Sequence, residues 1–254
     1  MLTEKYDFRI TDQMTIPLRP HWIANDSYRE KCKMLVLNRS KGEIHKVDFS
    51  KLTDYIKEGD VICFNDSTII NHMFICKTRQ NRLIKIVLEG FLPNNRVIGG
   101  LISFITLHVA STEMLSNRKI QTKCVEEVTI NEEYYEVPQA TADIINTAKQ
   151  NGGRIFAVGT TVTRCLESAY SREHNCLKAS SGWTALYIHP GYQLKVVDCL
   201  LTNLHQPKTT HMVLTGQFAG VDLLIKAYTS EHIQSCQFDM FGDCMLIIQD
   251  EGQG

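Results

Sequence analysis

Thr160, Arg164 and Glu167 stand four and three residues apart within G-T-T-V-T-R-C-L-E-S, Gly159 to Ser168. That spacing puts a hydroxyl, a guanidinium and a carboxylate on one face of a helix. Such an arginine can hold a ligand carboxylate bidentately. A carboxylate shielded in a pocket is raised in pKa, so Glu167 could serve as a base. The same spacing also suits a plain surface ion pair between Arg164 and Glu167, worth about 0.3–0.5 kcal/mol. A second set, Thr202, Asn203, His205 and Lys208, falls within seven residues of D-C-L-L-T-N-L-H-Q-P-K. A loop histidine there can move protons near neutral pH, and Lys208 is the alternative to Arg164 as carboxylate holder. Asn65 and Asp66 end an apolar run, either facing a ligand or closing an Asx-turn.

These groups need elements to hold them. Residues 154–158 read as a short buried strand, Gly159 frees the backbone, and Thr160 or Thr161 is expected to cap a helix packed through Val162, Cys165 and Leu166. The turn leaves N–H groups that favour an anion or hydroxyls. Residues 193–197 are expected as the strand that delivers the second set, and loops after strands are where α/β proteins bind ligands. The N-terminal half reads as β-rich: a hairpin of 33–37 with 44–49 around Gly42, a helix over 52–58, and strands at 61–64, 69–77 and 83–88. A helix follows at 138–149. The C-terminal half alternates strand and helix at 155–158, 161–170, 185–188, 193–197, 209–218, 223–232 and 244–249, with 171–181 the most loop-like stretch. The reading is a mixed α/β (α+β) fold forming one domain over 1–254.

The 254 residues are 43% hydrophobic and 22% charged, with formal net charge −1, enough for a real core. A dedicated nucleic-acid binder usually shows a basic excess, so charge does not support a nucleic-acid partner. Nine cysteines without C-x-x-C pairs read as reduced core residues of a cytoplasmic protein. No H-E-x-x-H, G-x-G-x-x-G or Walker A motif is present, so no metal or dinucleotide cofactor is expected. No apolar run approaches a membrane span. Trp183 and Tyr187 could stack a base or pack in the core.

Beyond these sets, further motifs recur in order: M-L-V-L-N-R at Met34, G-D-V-I-C-F-N-D-S at Gly59, T-L-H-V at Thr106, E-Y-Y-E-V-P at Glu133, P-G-Y at Pro190, F-A-G at Phe218 and F-G-D-C-M-L-I at Phe241. Together with the two runs above, they resemble the S-adenosylmethionine:tRNA ribosyltransferase-isomerases of queuosine biosynthesis over nearly the whole chain. The resemblance implies transfer of the ribosyl part of S-adenosylmethionine to a 7-aminomethyl-7-deazaguanine base in tRNA, rearrangement to an epoxycyclopentanediol, and release of adenine and methionine. It implies no metal and no cofactor beyond S-adenosylmethionine as substrate. It places Glu167, His205, Asp66 and His108 as catalytic candidates. Asn65, Gly159, Thr160, Thr161, Arg164, Thr202, Asn203, Lys208 and Asp243 are the binding candidates, with Asp243 otherwise a turn residue.

The departures are specific. After F-N-D-S the family's Arg and Pro-Ala-Arg become Thr68 and Asn71-His72-Met73. A Met-His-Ser-Glu survives only as Glu133, behind Ile130, Asn131 and Glu132. The large central insertion, with a histidine of its own, is reduced to residues 90–105. The expectation is therefore an enzyme that keeps S-adenosylmethionine handling with an altered acceptor, a small molecule or none. The alternatives are a genuine tRNA ribosyltransferase-isomerase and a non-catalytic S-adenosylmethionine-binding protein.

Overall fold

The computed structural model describes residues 32–66, 73–77, 83–87, 101–107, 125–130, 132–238 and 242–249, and structural counts refer to these. In chain order the elements are β1 (Lys33–Asn38), β2 (Glu43–Asp48), β3 (Val61–Asn65), β4 (Met73–Lys77), β5 (Leu83–Val87), β6 (Leu101–Leu107) and β7 (Glu133–Val137). Then come α1 (Gln139–Gln150), β8 (Ile155–Val158), α2 (Thr160–Ser168), β9 (Tyr170–Ser171), β10 (Cys176–Leu177), β11 (Ser180–Thr184) and β12 (Cys199–Asn203). The last are α3 (Thr210–Ala219), α4 (Val221–Thr229) and β13 (Cys244–Ile248).

Nine strands form one mixed sheet in the order β11-β7-β6-β3-β8-β12-β13-β1-β2, and β4 and β5 pair separately. β3, β6, β8 and β12 run parallel, whereas β13 opposes β12 and β7 opposes β6. The carboxyl ends of the four parallel strands therefore share an edge with the amino ends of β7 and β13. This is the expected mixed α/β architecture, but the two halves of the chain interleave: β3 lies hydrogen-bonded between β6 and β8.

The sheet is covered on both faces, which explains why β1 is apolar at consecutive positions. Leu35 and Leu37 enter one hydrophobic cluster, and Met34 and Val36 enter another, as side chains alternate along a strand. The first cluster takes Ile145 of α1, Val162, Cys165 and Leu166 of α2, Met212 and Phe218 of α3, and Leu224 and Tyr228 of α4. On the opposite face, Leu52 and Tyr55 from a 3₁₀ helix, Phe49–Tyr55, pack against Met34, Phe156 and Leu246. At Gly153 a Cβ would stand 2.1 Å from the Gly59 carbonyl oxygen, so only glycine lets the chain pass there before β8.

Several local expectations are corrected. Residues 52–58 form no α-helix; the 3₁₀ turn replaces it. Residues 185–188 and 193–197 are not strands, and the strand in this region is β11. The N–H groups of 195–197 bond to a side chain, Glu167, rather than to a neighbouring strand. Within 171–181, β9 and β10 make a short antiparallel pair. The helix expected over 223–232 ends at Thr229 and resumes as a 3₁₀ turn, Glu231–Ser235. Trp183 is 64% exposed, which rules out core packing; Tyr134 meets its ring edge-on at 5.7 Å. His108 and residues 69–72 lie outside the described residues.

Candidate active site at the carboxyl edge of the sheet

At the end of β8 the chain turns on Gly159, with φ 96° and ψ 154°, a conformation open essentially to glycine alone. Its N–H bonds to the Leu201 carbonyl of β12 at 2.7 Å, which ties the turn to the neighbouring parallel strand. Gly159 is itself the N-cap of α2, and no side chain caps the helix. Thr160 and Thr161, expected as caps, lie inside its first turn.

One turn further, Arg164 is buried. Its Nε donates to the Leu186 carbonyl at 3.0 Å, its Nη2 to the Thr184 carbonyl at 3.4 Å, and its guanidinium forms an ion pair with the Glu133 carboxylate. Arg164 is therefore a buried partner of Glu133 and not a surface partner of Glu167. Glu133, first residue of β7, was passed over as a site residue, although its survival from an otherwise altered motif was the signal. A slot of about 30 Å³, room for one small polar group, is lined by Glu133, Thr160, Thr161, Arg164, Tyr187 and His211 among others.

β12 delivers the second set. Thr202 is buried, and its Oγ1 lies 2.8 Å from His205 Nε2. The Tyr228 hydroxyl accepts from His205 N–H at 3.1 Å and donates to its carbonyl at 3.0 Å, fixing the loop. The His205 ring stacks on His211, centroids 5.0 Å apart at 27°. Burial, and then the neighbouring His211, hold His205 well below the ordinary histidine pKa. Lys208 occupies the left-handed region at φ 62°, unusual for a residue with a side chain. Thr209 caps α3 by accepting from Met212 N–H.

Asn203 closes β12, Asn65 closes β3, and Asp66 is exposed with its N–H on the Ile105 carbonyl at 3.1 Å. Asp243 lies at the same edge, buried, its carboxylate accepting from Lys33 N–H at 2.6 Å and Gln237 N–H at 2.8 Å. It therefore fastens β1 to the turn before β13.

Glu167 is not brought to this edge. It sits in the last turn of α2, about 10 Å along the axis from Thr160 at 1.5 Å per residue. Its carboxylate accepts N–H from Lys195, Val196 and Val197 at 2.9, 2.9 and 3.0 Å and the Tyr192 hydroxyl at 3.3 Å. Burial pushes its carboxyl above the ordinary range, against the pull of these four donors, and burial together with Glu167 raises Tyr192 in turn. His211, to which the sequence assigned no role, lines the slot from the first turn of α3. Among the described residues no three His, Cys, Asp or Glu side chains are grouped to hold a metal ion, and no helix is long and apolar enough to cross a membrane.

A family model described as "Queuosine biosynthesis protein" matches residues 3–98 and 92–247. An S-adenosylmethionine:tRNA ribosyltransferase-isomerase of Natranaerobius thermophilus is 43% identical over 149 residues, 59% of this chain and 42% of that relative. The match thus spans less than half the relative's length. The crystal structure of an S-adenosylmethionine tRNA ribosyltransferase from Thermotoga maritima superposes with a TM-score of 0.66 at 22% identity, covering 93% of this chain and 100% of that one. At that identity the likeness speaks for the fold.

Proposed function

The chain belongs to the queuosine biosynthesis protein family, and on that premise we propose that it is an S-adenosylmethionine-using transferase-isomerase whose acceptor differs from that of its longer relatives. One observation carries the reading. The parallel strands β8 and β12 deliver an α-helix amino end without a side-chain cap, the Thr202–His205 pair and Lys208 to one edge of the sheet. Ligands bind outside the carboxyl ends of such strands, where an anion also meets helix N–H groups.

In this reading Lys208 holds the methionyl carboxylate, because the Arg164 guanidinium is committed to Glu133 and two carbonyls. The N–H groups and hydroxyls of Thr160 and Thr161, with Asn203, Asn65 and Asp66, receive the ribose hydroxyls. His205 and His108 serve proton transfer, and Glu167 and Asp243 shape the site through the backbone they hold. No metal takes part.

The changed acceptor is supported by the meeting of the two family-matched segments at residues 92–98, with no intervening stretch where the family carries its central insertion. The net charge of −1 points the same way. A second reading, tRNA as the acceptor, is favoured by the names of both relatives. Calorimetry with S-adenosylmethionine, followed by mass spectrometry of products with and without precursor tRNA, tests both. Binding with adenine and methionine released in the absence of tRNA supports the first reading, and product formed only on tRNA supports the second. No binding at millimolar ligand overturns the S-adenosylmethionine assignment itself.

A further inference from the structure

We propose that a cavity at the opposite edge of the sheet binds a phosphate monoester on a polar organic body, a nucleotide or a sugar phosphate, with Arg39 and Lys195 holding the phosphate. The cavity encloses about 630 Å³, and small-molecule sites run from about 300 to 1,000 Å³. It lies at the amino ends of β8 and β12, beside Arg154 and Asp198, and just past the carboxyl ends of β1 and β13, beside Arg39 and Gln249. Roughly 10 Å of β8, at about 3.3 Å per residue, separates it from the amino end of α2. Its lining includes none of the residues assigned to S-adenosylmethionine, so the site is independent of the function proposed above.

Two parts of the fold supply the phosphate holders. β1 and β13 run parallel, and the Arg39 N–H bonds to the Ile248 carbonyl at 2.8 Å, so Arg39 and Gln249 leave the sheet side by side. A second wall is the segment 192–198, whose N–H groups at 195–197 turn inward to the Glu167 carboxylate. Along that segment Val196 is buried while Gln193 and Lys195 are exposed and line the cavity. The Lys195 Nζ donates to Gln193 Oε1 at 3.2 Å, which leaves two of its three protons for a ligand.

The charges select the ligand. Four cations, Arg39, Lys149, Arg154 and Lys195, line the cavity with one carboxylate, Asp198. Lys149 pairs with Asp198 at 3.0 Å and Arg154 with Asp60 at 2.7 Å, which cancels two of the cations. Among the described residues neither the Arg39 nor the Lys195 side chain pairs with a carboxylate, so two positive charges remain. The carbonyl end of α1, at Gly152 and Gly153, opposes an anion with about half a charge, too little to cancel them. Its last carbonyls also accept N–H from Asn151, Gly152 and Gly153. A phosphate monoester carries about −1.5 to −2 at pH 7 and matches the two cations, the guanidinium bidentately and the ammonium as a point charge. A phosphodiester carries a single charge and matches less well. Free phosphate would leave most of the volume unfilled, whereas the amides of Gln193 and Gln249 offer both donors and acceptors to a polar body.

Calorimetry and amide NMR of the full chain test this, with adenosine 5′-monophosphate and ribose 5-phosphate as probes. The comparisons are adenosine, ribose, inorganic phosphate and a short RNA without terminal phosphates. At least one monoester should bind at submillimolar concentration and shift the amides of Arg39, Lys195 and Gln249, and the tighter of the two tells a nucleotide site from a sugar-phosphate site. Arg39→Gln and Lys195→Gln, both at exposed positions, should each weaken that binding about 10-fold or more, as loss of a hydrogen bond to a charged group does. No binding of either monoester at millimolar concentration overturns the site, as do variants that bind like the wild type. Adenosine, ribose or inorganic phosphate binding as tightly as the monoesters overturns the ligand class, and so does the RNA binding more tightly through Arg39 and Lys195. Should a variant not fold, the wild-type amide shifts decide: shifts at Arg39, Lys195 and Gln249 support the site, and shifts confined to other residues overturn it.

Discussion

Arg164 and Glu133 form a buried ion pair across 31 residues of sequence, joining the second turn of α2 to the first residue of β7. Removing one partner strands the other charge out of water, which costs about 3–5 kcal/mol for buried pairs. Glu133→Ala and Arg164→Ala should each lose that much stability in urea unfolding, and the double replacement by apolar residues of similar volume should recover most of it. Losses below about 1 kcal/mol would return the pair to surface behaviour.

Glu167 should prove a stability residue before it proves anything else. Glu167→Ala leaves the N–H groups of Lys195, Val196 and Val197 without their acceptor. At about 1 kcal/mol for each net hydrogen bond, a loss of about 2–4 kcal/mol is expected. Glu167→Gln should lose less, since one oxygen still accepts. Amide hydrogen exchange should speed up at 195–197 in the Ala variant and stay slow in β12; unchanged protection at 195–197 would contradict the bonding described.

The Glu167 result shows what was legible in the sequence and what was not. Turn and capping signals placed β1, β2, α1 and the β8–Gly159–α2 turn within a residue or two, because periodicity and glycine act locally. Helical spacing rightly grouped Thr160 with Arg164 but could not say which way each side chain goes. Glu167, one turn beyond Arg164, meets a loop, while Arg164 meets a strand beginning 31 residues earlier. The 193–197 segment looked like a strand because it alternates, yet its N–H groups are satisfied by a carboxylate that no local pattern announces. The His205–His211 stack joins the loop after β12 to the first turn of α3, at a separation that matches neither the helical nor the strand period.

Stability should respond to acid through Asp60. Burial alone would raise its carboxyl, but the Arg154 guanidinium and the backbone N–H groups of Lys57 and Arg154 outweigh that and hold it below the ordinary range. A lowered carboxylate contributes stability that is present above the unfolded value of about 3.9 and lost as pH falls through the folded one. Glu167 has the opposite sign: its raised carboxyl makes stability fall as pH rises from the unfolded value toward the folded one. Urea midpoints between about pH 3 and 7 should lose the acid limb in Asp60→Asn and the upper limb in Glu167→Gln; parallel curves for all three proteins would refute the assignment.

Lys208 should govern affinity for the methionyl end of the ligand. A hydrogen bond to a charged group contributes about 1.5–3 kcal/mol, so Lys208→Met should weaken S-adenosylmethionine binding about 10- to 100-fold by calorimetry. Against decarboxylated S-adenosylmethionine, the wild type and Lys208→Met should bind alike. An equal loss toward both ligands would mean that Lys208 shapes the loop at its left-handed φ rather than meeting the carboxylate.

Gly159→Ala separates the turn from the chemistry that follows it. At φ 96° and ψ 154° a side chain is strained whatever the surrounding space, and a Cβ there meets no atom within 4 Å. The cost is therefore conformational, about 1–3 kcal/mol, and relaxation of that strain would rotate the amino end of α2 and pull the Gly159 N–H from the Leu201 carbonyl. The variant should stay folded, lose about that much in urea unfolding, and lose S-adenosylmethionine affinity by more than the stability change alone accounts for. A destabilised variant with wild-type affinity would show that the helix end does not touch the ligand, leaving the β12 loop to bind it.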